Sequence, residues 1–230
     1  MKSPASIVLH IILIAIIAVE LAGRITGNIN LEYPVKPLIM IWMTVCFILF
    51  RKKKSFTVPV LLAFFFSWVG DNLLMFSWQS ELYFYAGIGG FFFAQLSYIY
   101  VFARYSETGV RGYLQRNMVI GLLFLAYGGG IYYLLYPSLE GIMKPVILVY
   151  ALALIGMSMM ALNRNGRVSS ASYLPVFIGS ILFVVSDSMI AINKFTREIP
   201  LAGLWIMVTY ISAQYLIMRG LILEKQPQGG

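Results

Sequence analysis

Two aspartates interrupt strongly apolar runs: Asp71 in FFFSWVGDNLLMF and Asp187 in ILFVVSDSMIAINKF. A carboxylate within a membrane span is costly unless it is paired, solvated or protonated, so a span that keeps one is a functional-site candidate. Two such groups at one site can divide the work, one holding a proton as general acid and the other acting as a base or stabilising a cation. Burial and a second carboxylate both favour the neutral form of one member of such a pair. Each aspartate also follows an upstream Lys-Pro, Lys36-Pro37 and Lys144-Pro145.

Other polar residues fall at helical spacings around the pair. Ser67 and Asp71 are four apart, and Ser180, Asp187 and Lys194 follow one another at intervals of seven. Gln95 and Tyr98 are three apart, and Tyr210 and Gln214 four apart. Asn72, Ser186, Ser188 and Asn193 flank the aspartates closely enough to orient them or a water molecule. Polar groups on one face of an apolar helix point into the bundle, where they serve a site or act as interhelical hydrogen-bond glue. Glu20 is a further candidate, with Arg24 at i+4 in the favourable order for a helical ion pair. His10 stands mid-run with no acidic partner nearby in sequence and reads as structural.

The elements that must position these residues are membrane helices. The chain has 230 residues, 60% hydrophobic and 11% charged, against roughly 25% charged residues in soluble domains. Spans of about 17–22 apolar residues suit a core about 30 Å thick. Eight are expected, over about 5–23, 34–50, 57–77, 82–103, 117–135, 141–162, 173–193 and 199–219. The fold class is therefore an all-α integral membrane protein with one domain over 1–225 and a flexible tail over 226–230. The first span has only Lys2 before it and no clear small-residue cleavage site, so it reads as a retained helix rather than a signal peptide.

The positive-inside rule sets the orientation. With the N-terminus inside, Lys2, Arg51, Lys52, Lys53, Lys54, Arg104, Arg111, Arg116, Arg164, Arg167, Arg219 and Lys225 lie on the cytoplasmic side. Arg24, Lys36, Lys144, Lys194 and Arg197 lie outside, a ratio of 12 to 5 with both termini inside. The net charge of +8 is explained by topology rather than by nucleic acid. Asp71 and Asp187 each lie about six residues, or roughly 9 Å, below the outer end of their spans. They share that layer with Lys36, Lys144 and Lys194. One histidine and one cysteine, Cys46, leave too few ligands for a His/Cys metal centre, and no cofactor is expected.

Spans 2–4 and 6–8 correspond. VKPLIM matches MKPVIL, WVGDNLLMF matches VVSDSMIAINKF, and Ala94-Gln95 matches Ala213-Gln214. Halves of four spans, about 1–104 and 113–219, keep the same orientation. They form a parallel repeat, an architecture that places sites at the repeat interface, and this predicts that Asp71 and Asp187 face each other. The glycine groups Gly87, Gly89, Gly90 and Gly128, Gly129, Gly130 lie within spans and read as helix-packing surfaces.

Lys36-Pro37-Leu38, Gly70-Asp71, Ala94-Gln95 with Tyr98, and the box from Phe183 through Asn193-Lys194-Phe195 resemble the YhhN family. The resemblance runs over nearly the whole chain in the same motif order. It implies an eight-helix membrane protein that hydrolyses the vinyl-ether bond of lysoplasmalogens to a fatty aldehyde and a glycerophospho-ethanolamine or glycerophosphocholine. The family's paired aspartates map onto Asp71 and Asp187. Gln95 departs from the pattern, standing where a histidine is expected in many relatives, and an amide cannot shuttle a proton as imidazole can.

On that resemblance one aspartate protonates the alkene and the other stabilises the resulting cation and activates water; the sequence does not assign which. Lys36, Lys144 and Lys194 would hold the substrate phosphate, and Phe- and Met-rich helices its chain. The partners are the lysophospholipid and membrane lipid. The expected location is a bacterial inner membrane, with the site in its outer half. A proton-coupled lipid or small-molecule carrier would use the same carboxylate pair. A metal-dependent hydrolase of the ceramidase type would need several histidines, and only His10 is present.

Overall fold

A computed structural model of the chain describes residues 4–51, 56–104 and 109–224, with backbone alone for 4–6. Lys2, Lys52, Lys53, Lys54, Lys225 and the 226–230 tail lie outside the described residues. The elements run α1 (Pro4–Thr26), α2 (Ile29–Phe50), α3 (Thr57–Met75), α4 (Glu81–Arg104), the single turn α5 (Tyr113–Arg116), α6 (Met118–Leu135), a 3-10 turn (Tyr136–Ser138), α7 (Met143–Asn163), α8 (Ser170–Phe195) and α9 (Ala202–Ile222). Among the described residues there is no strand, and eight helices are long and apolar enough to cross a membrane. In hydrocarbon every backbone N–H and C=O must find its partner within the chain, and a helix does this locally. Large side chains such as Ile11, Ile14, Leu122 and Leu123 stay exposed on the outer helices, as a lipid-facing surface requires.

The helix ends depart from expectation where capping decides them. α2 starts at Ile29, a turn before Pro34, because the Asn28 side chain accepts a 3.1 Å bond from Asn30 N. That carbonyl satisfies one of the orphan N–H groups of the first turn. The added turn puts Glu32 on the helix, four residues before Lys36.

Packed neighbours close into a ring. α2 packs on α3, α3 on α4, α4 on α7, α7 on α8, α8 on α9, and α9 returns to α2. α1 lies against α2 and α9, while α6 lies on α7 and α8. The α3/α4 and α8/α9 pairs approach most closely, through glycine. A Cβ on Gly90 would meet Gly70 N at 2.8 Å, and one on Gly179 would meet Ala213 O at 2.7 Å. Only part of the two glycine groups acts this way. Gly87, Gly90 and Gly128 face neighbouring helices closely, but Gly89, Gly129 and Gly130 face open space.

The core inside the ring is aromatic and sulfur-rich, with Met43, Phe47, Phe64, Tyr98, Phe102, Met157 and Phe183 buried. Arg164, expected as a loop charge, is fully buried and pairs with Glu224 at 2.8 Å, while Ser172 Oγ donates to the same carboxylate at 2.6 Å. This cluster ties the α7/α8 turn to the end of α9.

Candidate active site

Asp71 on α3 and Asp187 on α8 are both buried and line one cavity of about 430 Å³. Arg24, Lys36, Lys194, Ser186, Asn193 and Tyr210 contribute to the same walls. A second, apolar pocket of about 60 Å³ also ends at Asp187, lined by Ile88, Ile131, Ile147, Tyr150 and Leu154 among others. Leu74, Phe84, Phe91 and Ile190 belong to both spaces. Asp187 thus stands where cation-lined space meets hydrocarbon-lined space.

Each carboxylate is gripped by a tyrosine. Tyr210 OH donates to Asp71 Oδ2 at 2.5 Å, and Tyr150 OH donates to Asp187 Oδ2 at 2.5 Å. Gln95 Nε2 adds a 3.1 Å bond to Asp187 Oδ2, while Gln95 Oε1 has no partner among the described residues. Behind Asp71 a buried chain extends from Tyr210 to Gln214, which donates to Ser67 Oγ at 3.0 Å and accepts from Tyr98 OH at 2.5 Å. Such networks rigidify a site because every member left unpaired in low dielectric would be costly. Gln214 and Tyr98 therefore position Tyr210 rather than face the cavity.

The charges are uneven. Lys36 Nζ lies 4.0 Å from Asp71 Oδ1, whereas Asp187 forms no ion pair among the described residues. Above Asp71, Arg24 bonds Glu20 at 3.2 Å and Glu32 at 2.9 Å. Glu20 is fully buried, and its Oε2 has no partner among the described residues. Its place is beside the cavity as Arg24's anchor. Gly203 leaves room for Arg24, since a Cβ there would stand 3.1 Å from Arg24 Cδ.

The other residues expected at the site divide between this cavity and places away from it. Lys144 is not on the cavity: its Nζ sits 4.5 Å over the Tyr136 ring, because the turn after α6 carries that ring across the start of α7. Asn72 donates to Trp68 O at 2.6 Å along its own helix and does not line the cavity. Ser188 faces the apolar pocket and shares a 3.0 Å bond with Tyr127 OH. Ser186 lines the polar cavity but donates to Ile206 O at 3.1 Å, and Asn193 Oδ1 accepts from Ile199 N at 2.9 Å, so both also brace α9 or its entry. Lys194 lines the cavity, 5.0 Å over the Phe84 ring and 4.0 Å from Glu81.

The distances to the helix ends differ from the six residues expected for each aspartate. α3 ends at Met75 and α8 at Phe195, so Asp71 is four residues from its helix end and Asp187 eight, roughly 6 and 12 Å at 1.5 Å per residue.

Sequence reasoning passes over Tyr150 and Glu32, and it takes Arg24 only as the partner of Glu20 and an outer-side cation, not as a residue of the cavity wall. Tyr150 is a lone hydroxyl in the apolar run ILVYALALIGM, the same signal that singled out the aspartates. Glu32 and Lys36 are spaced i, i+4, hidden by starting the helix at Pro34.

Fold and site together define a multi-pass membrane protein built around a buried carboxyl pair. The chain belongs to the YhhN family, whose model matches residues 31–221. It is 34% identical over 166 residues to lysoplasmalogenase TMEM86A of Bos taurus, covering 70% of this chain and 64% of the relative. It is 32% identical to the Homo sapiens protein of that name over the same shares. It is 30% identical over 160 residues to Homo sapiens lysoplasmalogenase TMEM86B, covering 70% of this chain and 62% of the relative. The chain thus spans a little under two thirds of the length of these curated relatives. No solved structure matches it.

Proposed function

We propose that the protein is a membrane hydrolase that cleaves the vinyl-ether bond of lysoplasmalogens. The observation that carries this reading is the place of Asp187, between a cation-lined cavity of about 430 Å³ and an apolar pocket. A lysophospholipid has that polarity, with its headgroup phosphate on one side of the scissile bond and its alkenyl chain on the other. The names of the relatives give the same substrate class.

The uneven charges divide the roles. Asp187, bonded among the described residues only by the neutral donors Gln95 and Tyr150, holds the proton and delivers it to the alkene carbon one bond beyond the ether-bearing carbon. The carbon next to oxygen becomes an oxocarbenium ion. Asp71, ionised beside Lys36, stabilises this cation and takes a proton from the water that adds to it. The hemiacetal so formed breaks at the carbon–oxygen bond, giving the fatty aldehyde and the free glycerol hydroxyl. Proton exchange with water restores both carboxyl groups. Lys36, Lys194 and Arg24 are placed to hold the phosphate; Gln95, Tyr150 and Tyr210 orient the carboxyl groups. Positioned proton transfer of this kind contributes about 10²–10⁴-fold to rate.

The same reading retains one domain over 1–225 made of two parallel halves, since α3/α4 and α8/α9 pack alike and each half brings one aspartate to the cavity. The basic residues at the end opposite the cavity, Arg51, Arg104, Arg116, Arg164 and Arg219 among those described, support both termini inside and a site in the outer half of the membrane.

The test is aldehyde release from an alkenyl-lysophospholipid by purified protein in detergent. Asp71→Asn and Asp187→Asn should each lower turnover by about 10²–10⁴-fold with the thermal melt retained. Full activity in either variant would exclude the acid/base pair. A carrier, by contrast, would need a sealed membrane and a gradient and would release no aldehyde.

A further inference from the structure

We infer that the groove between α4 and α7 admits the hydrocarbon chain of the lipid substrate from the bilayer and seats it, with Gly89 keeping that groove open. This rests on the lipid-hydrolase reading above. The groove has a volume of about 360 Å³ and is walled by Ile88, Gly89 and Phe92 of α4 and by Val146, Val149 and Tyr150 of α7. Ile88 and Tyr150 also wall the apolar pocket at Asp187, so the groove and the pocket adjoin. That pocket, at about 60 Å³, is far too small for a whole alkenyl chain, which must continue outward. Val146 and Val149 are exposed, so the groove faces lipid.

Two further observations point the same way. Gly87 and Gly90 have a packing reason, since a Cβ on either would meet α3 at 2.7 Å (Leu74) or 2.8 Å (Gly70). A Cβ on Gly89 would meet nothing within 4 Å. Glycine in a helix interior costs about 1 kcal/mol against alanine, and no neighbour among the described residues accounts for it here. The opposite seam of the ring, between α2 and α9, is covered by α1. There Trp42 Nε1 donates to Leu9 O at 2.8 Å and His10 Nε2 meets Tyr215 OH at 3.2 Å. α6 packs on α7 and α8 instead of across the α4/α7 seam, which leaves an apolar recess reaching toward Asp187.

The experiment compares kcat/KM for octadecenyl and hexenyl lysophospholipids in the full-length protein and in Gly89→Phe and Val149→Trp. Steric discrimination in an apolar pocket amounts to about 10–200-fold, so the long-to-short ratio should fall at least about tenfold in both variants. An unchanged ratio, whether both substrates slow equally or neither does, overturns the proposal. A second readout does not depend on turnover. A lysophospholipid with a photoreactive chain end should label the facing segments 85–92 and 145–150, and Gly89→Phe should abolish that labelling. Labelling that survives Gly89→Phe overturns the groove assignment, as does equal labelling by a photoreactive diacyl phospholipid, which would mark the groove as a seat for bulk lipid. If the wild-type protein releases no aldehyde from either substrate, the hydrolase reading fails, and the labelling result alone decides the groove.

Discussion

Asp71 and Asp187 each accept a 2.5 Å bond from a tyrosine, yet among the described residues only Asp71 has an ammonium beside it, Lys36 at 4.0 Å. Asp71 sits under a lattice of charge, with Arg24 held between Glu20 and Glu32, and is backed by the Tyr210–Gln214–Ser67 chain. Asp187 has Gln95 and Tyr150 behind it and an apolar pocket in front. Two positions that read alike in sequence therefore have opposite surroundings. In the proposed mechanism, these differences in their neighbours give each carboxyl group its own role.

The strongest way to break the comparison, after replacing the aspartates themselves, is to remove the charge lattice from one side only. Arg24→Leu leaves two buried carboxylates without their cation and should destabilise the protein by about 3–5 kcal/mol, seen as a lower melting temperature in detergent. Adding Glu20→Leu and Glu32→Leu to that variant should restore most of the loss, because an apolar replacement of a whole buried ionic cluster is often neutral. A melt unchanged by Arg24→Leu would mean that the lattice is not structural.

Next in size, the two tyrosines test which carboxyl is charged. Hydrogen bonds to charged groups contribute about 1.5–3 kcal/mol and those between neutral groups about 0.5–1.5. Tyr210→Phe should therefore lower kcat by about 10- to 100-fold, and Tyr150→Phe by only about 2- to 10-fold. The reverse order would exchange the acid and base assignments.

The smallest effects, on substrate binding, concern two lysines, Lys36 on α2 and Lys144 on α7. Lys36→Gln should raise KM by about tenfold if its ammonium holds the phosphate. Lys144→Gln, on a residue stacked over Tyr136 away from the cavity, should shift KM by less than about twofold, the small effect usual for a surface charge. A larger effect at Lys144 than at Lys36 would move the phosphate to the other half of the molecule.

The eight spans were legible because the bilayer imposes a length and a composition on each helix, and the expected boundaries fall within a few residues of those observed. The errors came where local chemistry overrides hydropathy. Asn28 starts α2 a turn early, and that turn contains Glu32. The aspartates stood out because a charge in an apolar run has few explanations. Tyr150 carried a weaker form of the same signal, since a tyrosine in a membrane helix has several ordinary uses.

What the sequence determined by itself was which residues are expensive to bury: Asp71, Asp187, Lys36 and the amides and hydroxyls spaced around them. That follows from desolvation, which acts on each group wherever its helix goes. Only the tertiary structure decided the pairings: that Lys36 reaches Asp71 while Lys144 turns away to Tyr136, and that Gln95 and Tyr150 meet on Asp187. These depend on which helices become neighbours and how each is rotated, and periodicity along a single helix carries no information about either.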